Sequence, residues 1–94
     1  MSLPSEKTDP TPANRPAHHR FLVQAEAEPS VLARVVELFV LRDLLPQTVS
    51  CRQDGPARLR LDVTVDGLEE GVADHLAARM RNIMPVVTVI VERQ

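Results

Sequence analysis

Few residues in this chain could act on a substrate, and their spacing decides what each can do. His18 and His19 are adjacent and could hold a metal, but no third ligand stands near them. His75 follows Asp74. Helical neighbours one apart do not face each other, so Asp74 cannot orient His75 as a general base. Cys51 is the single cysteine and alternates with Val49, which predicts an inward-facing, inert thiol. No nucleophile stands in a pattern with a positioned base. These residues predict a protein that is not an enzyme and has no cofactor and no metal of its own.

Two other features could recognise an anion. Arg52, Arg58 and Arg60 could take a phosphate. Glu26, Asp62 and Glu92 are expected on the same face, however, and mutual pairing is the better reading. The second feature is a helix start at Glu28-Pro29-Ser30. Ser30, Val31 and Leu32 could present backbone N–H groups to a ligand carboxylate.

Composition excludes more. The chain has 94 residues and only two aromatics, Phe21 and Phe39. Base-stacking RNA modules and quaternary-amine cages need several aromatic faces. The net charge is -2, which suits no polyanion. No apolar run approaches the roughly 20 residues of a membrane span, and no apolar leader segment follows Met1. One cysteine rules out a disulfide framework. The expectation is a cytoplasmic protein with no nucleic-acid or membrane partner.

The elements follow from periodicity. Residues 1–17 hold four of the eight prolines and few apolar residues, which predicts a disordered tail before a domain at 18–94. Arg20–Glu26 alternates, with Phe21, Val23 and Ala25 on one side: a half-buried strand. Pro29 suits a first helical position, and Val31–Asp43 follows as a helix with a stripe of Leu32, Val35, Val36 and Phe39. Pro46 breaks it. Gln47–Gln53 and a run alternating through Leu59, Leu61, Val63 and Val65 form a hairpin around Asp54-Gly55-Pro56. Leu68–Ile83 is a second helix. Val86–Glu92 is a last strand, with Val87, Val89 and Val91 alternating inward. The order β-α-β-β-α-β with right-handed crossovers predicts an α+β, ferredoxin-like sandwich: a four-stranded antiparallel sheet with two helices on one face.

The helices leave the other sheet face open. Parity places Leu22, Val86 and Ile90 there as an apolar patch, a candidate partner contact. Val31, Leu38, Val40 and Leu41 add apolar surface on the first helix beyond its core stripe, and Val40 and Leu41 are further contact candidates.

Ala25-Glu26-Ala27-Glu28-Pro29-Ser30-Val31-Leu32-Ala33-Arg34-Val35-Val36-Glu37-Leu38-Phe39, followed by Arg42-Asp43-Leu44-Leu45, resembles the opening of an ACT domain. It is most similar to the small regulatory subunit of acetolactate synthase. Ile83-Met84-Pro85-Val86-Val87-Thr88-Val89 looks like the closing strand of that family. The resemblance spans roughly Arg20 to Glu92. It implies an amino-acid-binding regulatory module that pairs side by side as a homodimer and binds a thiamine-diphosphate-dependent large subunit. It also implies a response to a branched-chain amino acid. The effector residues it implies are Glu28, Pro29, Ser30, Val31, Leu32, Leu45 and Gln47. Where the family carries Asn and, three residues on, Gly, this chain has Ala27 and Ser30; a second Asn position holds Leu45. A stand-alone amino-acid sensor or dimerisation module is the alternative.

Overall fold

The computed structural model describes residues 16–94. The expected tail, residues 1–17, lies outside them except for Pro16 and Ala17, and Ala17 already opens the first strand. The elements are β1 (Ala17–Glu26), α1 (Pro29–Val40), β2 (Thr48–Gln53), β3 (Arg58–Leu68), α2 (Glu70–Arg81) and β4 (Val86–Arg93). The strands form one antiparallel sheet in the order β2-β3-β1-β4. Both helices cover the same face, so the predicted βαββαβ sandwich is the fold.

β1 is central and its alternation is strict. Phe21, Val23 and Ala25 are fully buried, and they meet Leu59, Leu61, Val63 and Val65 from β3 in one core. α1 adds Val31, Val35 and Phe39, at the four-residue spacing of one helix face. Val31 therefore belongs to the core and not to the extra apolar surface expected of it. α2 adds Ala73, Leu76, Ala77 and Met80. Leu68 and Ile83, expected inside α2, are buried just outside it, one at the end of β3 and one after the helix. Arg81 Nη2 donates to the Val89 carbonyl at 2.8 Å, and Arg93 pairs with Glu70 at 3.0 Å. Both contacts tie α2 to β4.

α1 stops at Val40, earlier than Pro46 alone predicts. Asp43 takes a left-handed conformation, φ 59°, which short polar side chains tolerate. The Leu44 N–H then donates back to the Phe39 carbonyl at 2.9 Å, and the Asp43 N–H to Val40 at 2.9 Å. These bonds close the helix C-terminus.

Two bulges alter the expected faces. At the end of β3 the register shifts between Ala17↔Leu68 and His19↔Val65. Gly67, at φ 71°, sits in the extra position. The strand thus continues through Asp66-Gly67 to Leu68, beyond the alternating run that ends at Val65. The second bulge is in β4, where Gln24 pairs with Thr88 but Ala25 pairs with Val86. Val87 is the extra residue. Val86 therefore turns to the helix side and packs half-buried against the core, and Val87 is half exposed. This reverses the expected inward Val87 and removes Val86 from the open-face contact patch.

β2 shows a different departure. Val49 and Cys51 do have core parity, paired with Val63 and Leu61. Yet all six residues of β2 are exposed, because the helices do not reach over this edge. The Cys51 thiol is exposed, not buried.

Phe21 and Phe39 meet edge to face, with ring centroids 5.4 Å apart. Phe39→Ala is expected to cost about 3–5 kcal/mol, most of the stability of a domain this size. Phe39→Leu is expected to cost less and to stay folded. Urea denaturation of both variants measures the difference.

Candidate functional site

The β1–α1 junction is built by backbone geometry. Glu28 is the N-cap in extended conformation, its side chain makes no capping bond, and Pro29 occupies the first turn. The loop is anchored on both sides. The Glu26 N–H donates to Pro85 at 2.8 Å, and the Ala27 N–H to Ala57 in the β2–β3 hairpin at 3.1 Å. Glu26, Glu28, Ser30, Arg34, Met84 and Pro85 line a shallow hollow of about 350 Å³ here. It sets two carboxylates and a guanidinium around the positive end of a helix.

The seven expected effector residues are divided. Glu28 and Ser30 line the hollow, with Pro29 exposed between them. Val31 is buried in the core and Leu32 packs against it, so only their backbones belong to this end. Leu45 and Gln47 are elsewhere. The Gln47 N–H donates to Thr64 at 2.8 Å, and Thr64 pairs with Arg20, six residues before Glu26. Six strand residues span about 20 Å, so one chain does not assemble the full set. The sequence reading missed Arg34 and Glu26 here. Arg34 lies four residues after Ser30 and so on the same helix face, a signal that was available. Met84 and Pro85 come from the α2–β4 loop and are visible only in the fold.

The open sheet face is organised in levels across the strands. One level is Thr48, Thr64, Arg20 and Glu92; the next is Ser50, Asp62, Leu22 and Ile90; the third is Arg52, Arg60, Gln24 and Thr88. Leu22 and Ile90 adjoin as expected. Arg20, Leu22, Gln24, Ser50, Arg52, Arg60, Asp62, Thr88 and Ile90 line a broad groove of about 830 Å³. Arg20 Nε donates to both Asp62 oxygens at 3.0 Å, and its Nη2 makes a further short contact with Oδ2. This hydrogen bonding, ahead of charge, holds the Asp62 carboxyl below its ordinary range, while burial works against it. The same contact pushes the Arg20 guanidinium up. Glu92 lies 3.9 Å from Arg20 on the other side.

A third surface runs along the β2 edge and the end of α1. Val40, Leu41, Leu45 and Val49 are exposed at 61, 71, 89 and 43 %. Val40 and Leu41, two of the contact candidates, are thus exposed.

The histidines divide. His18 lies 3.9 Å from Asp66. His19 is buried, its Nδ1 donating to the Ala17 carbonyl at 3.1 Å and its Nε2 without a partner among the described residues. Among the described residues there is no group of three potential metal ligands, and no helix is long and apolar enough to cross a membrane.

A family model described as an ACT-like domain matches residues 12–94. No curated protein matches the chain in sequence. Among solved structures, the chain is similar to the ACT domain from GTP pyrophosphokinase of Chlorobium tepidum. There the TM-score is 0.71 at 10 % identity, over 82 % of this chain and 99 % of that one. It is also similar to the C-terminal domain of the MgtC protein from Mycobacterium tuberculosis, with TM-score 0.69, 14 % identity, and 92 % and 94 % covered. A third is the ligand-free regulatory subunit of aspartate kinase from Thermus thermophilus, with TM-score 0.62, 15 % identity, and 85 % and 56 % covered. At these identities the likeness is one of fold.

The Arg20–Asp62 pair gives a pH prediction. A carboxylate held below its unfolded value stabilises the fold above that value, about 3.9 for Asp, and the contribution is lost as pH falls through the folded value. Asp62→Asn should lower the urea midpoint at neutral pH. Its difference from the parent should shrink as the pH falls through and below the ordinary aspartate range. Urea titrations across acid pH measure it.

Proposed function

This chain belongs to the ACT-like domain family, and from that premise we propose that it is a non-catalytic regulatory subunit answering to an amino acid. The observation that carries this reading is the hollow at the β1–α1 junction. A zwitterion needs a carboxylate site and an ammonium site a few ångströms apart. The N-terminus of α1 with Arg34 supplies the first, and Glu26 with Glu28 the second. Met84 and Pro85 add an apolar wall on which a branched aliphatic side chain fits.

The finer reading is the small regulatory subunit of acetolactate synthase, in the cytoplasm. It would bind the thiamine-diphosphate-dependent large subunit and feel a branched-chain amino acid. Its support is the sequence of α1 and the turn after it, from Ala25 to Leu45. The thiamine cofactor belongs to the catalytic partner in this reading. A stand-alone amino-acid sensor is the second reading, and it rests on the hollow alone.

Either reading includes a homodimer. Among the described residues β2 has an unpaired edge and is exposed along its whole length. Exposed edges of this kind are normally covered or charged. Val40, Leu41, Leu45 and Val49 make the bordering surface apolar. A two-fold axis beside β2 extends the sheet and reverses the second copy. Leu45 and Gln47 of that copy then lie at the same end of the joint sheet as the first copy's β1–α1 loop. The divided effector set is thereby reunited across the interface.

Three measurements test these statements. Leu41→Glu or Val49→Glu should convert a dimer to a monomer in sedimentation; a monomeric parent chain overturns the pairing. A valine, leucine or isoleucine concentration a hundredfold above Kd should stabilise the fold by about 2.7 kcal/mol. No thermal shift with any of the twenty amino acids at millimolar concentration defeats the amino-acid reading. Co-purification with a thiamine-diphosphate synthase, with a change in its rate, supports the finer reading; neither binding nor rate change ends it.

A further inference from the structure

The face turned away from the helices holds an arrangement that amino-acid regulation leaves unused. Arg52 on β2 and Arg60 on β3 stand directly opposite each other in the ladder, and both are exposed. Cβ atoms so placed are about 4.5–5.5 Å apart, and like charges there repel. Asp62, two residues from Arg60 on the same face of β3, is engaged through both oxygens by Arg20. Arg60 acts on Asp62 through charge alone. Among the described residues, neither Arg52 nor Arg60 has an ion-pair partner. Packing gives no reason for the pair, since β2 is exposed throughout and any polar residue would fold there. Locally unfavourable placements of this sort concentrate at functional sites.

The surroundings define a ligand. Gln24 and Thr88 continue the same level across the sheet, and Ser50 stands on the next. All three line the groove with the two arginines. They supply an amide and two hydroxyls. Beside them Leu22 and Ile90 face each other across β1 and β4 and give an apolar floor. The fork of a guanidinium matches phosphate oxygens two at a time. A phosphate monoester carries about −1.5 to −2 charges at neutral pH, which balances two arginines; a carboxylate balances one. Both phenylalanines are buried, so no aromatic on this face can stack a base.

We propose that Arg52 and Arg60, with Gln24, Ser50 and Thr88, bind a phosphate monoester whose apolar substituent lies on Leu22 and Ile90. The site is on a different face from the β1–α1 hollow, so its ligand is not the amino acid.

NMR titration of isotope-labelled protein at low ionic strength tests this with three probes. Hexyl phosphate should shift the amides of Gln24, Ser50, Arg60 and Thr88. Inorganic phosphate should act at the same residues about tenfold more weakly, the loss of roughly two buried methylenes. Hexanoate should bind more weakly than hexyl phosphate. Arg52→Ser or Arg60→Ser should weaken hexyl phosphate by about tenfold or more, the worth of a charge-assisted hydrogen bond. The same variants, without ligand, should unfold at higher urea because the repulsion is relieved. Absence of shifts at these residues overturns the proposal, as does hexanoate binding equal to hexyl phosphate or unchanged affinity in both arginine variants. Amino-acid binding is read separately, from shifts at Glu28, Ser30 and Arg34 that the arginine variants leave in place.

Discussion

The edge-to-face contact of Phe21 with Phe39 is the interaction on which the rest of the molecule depends. One ring sits on the central strand, the other on the first helix, and both are wholly buried. Their contact fixes the rotation of α1, which puts Val31 and Val35 into the core and turns Arg34 outward. The two-residue connection from β1 and the Glu26 N–H bond to Pro85 set the start of α1 beside Pro85, which is where the hollow forms. The remaining core is aliphatic and directs packing less sharply, because only the rings prefer one mutual geometry.

Because both aromatics are spent inside, the outer surfaces divide between aliphatic and charged residues. The division is spatial. Val40, Leu41, Leu45 and Val49 gather at the end of α1 and the β2 edge, while the open face carries the arginines and acids. An apolar edge beside unpaired backbone groups is suited to another strand. A polar face with charges at fixed sheet spacing is suited to a small, charged ligand. The same fold thus separates assembly from recognition by giving each its own chemistry.

Much of this was legible in the residues. The alternation of β1 and β3 placed every inward residue from Phe21 to Ala25 and Leu59 to Val65, since a strand of period two has only one register that buries a whole face. What alternation cannot report is cover. Val49 and Cys51 have core parity and are nonetheless exposed, because burial depends on a helix lying above them. Nor can it report an inserted residue. The bulge at Val87 inverts the expected parity of Val86 and Val87, while Val89 and Ile90 keep theirs. Two adjacent valines look alike in sequence, and only pairing with β1 tells which of them is the extra one.

The candidate sites were legible to a lesser degree, for a reason of distance. A twelve-residue helix carries the chain about 18 Å, so Glu28 and Leu45 are neighbours in a motif and yet stand at opposite ends of the sheet. Resemblance along a sequence transfers residue types; it does not say which copy of the chain supplies them. The arginine pair shows the converse. Arg52 and Arg60 are eight residues apart, and the hairpin turn between them is legible in Asp54-Gly55-Pro56. Their exact opposition nonetheless follows from register, and that the nearby acids do not neutralise them follows from Asp62 choosing Arg20. Charge balance counted over a face predicts mutual pairing; counted by contact, it leaves two cations side by side.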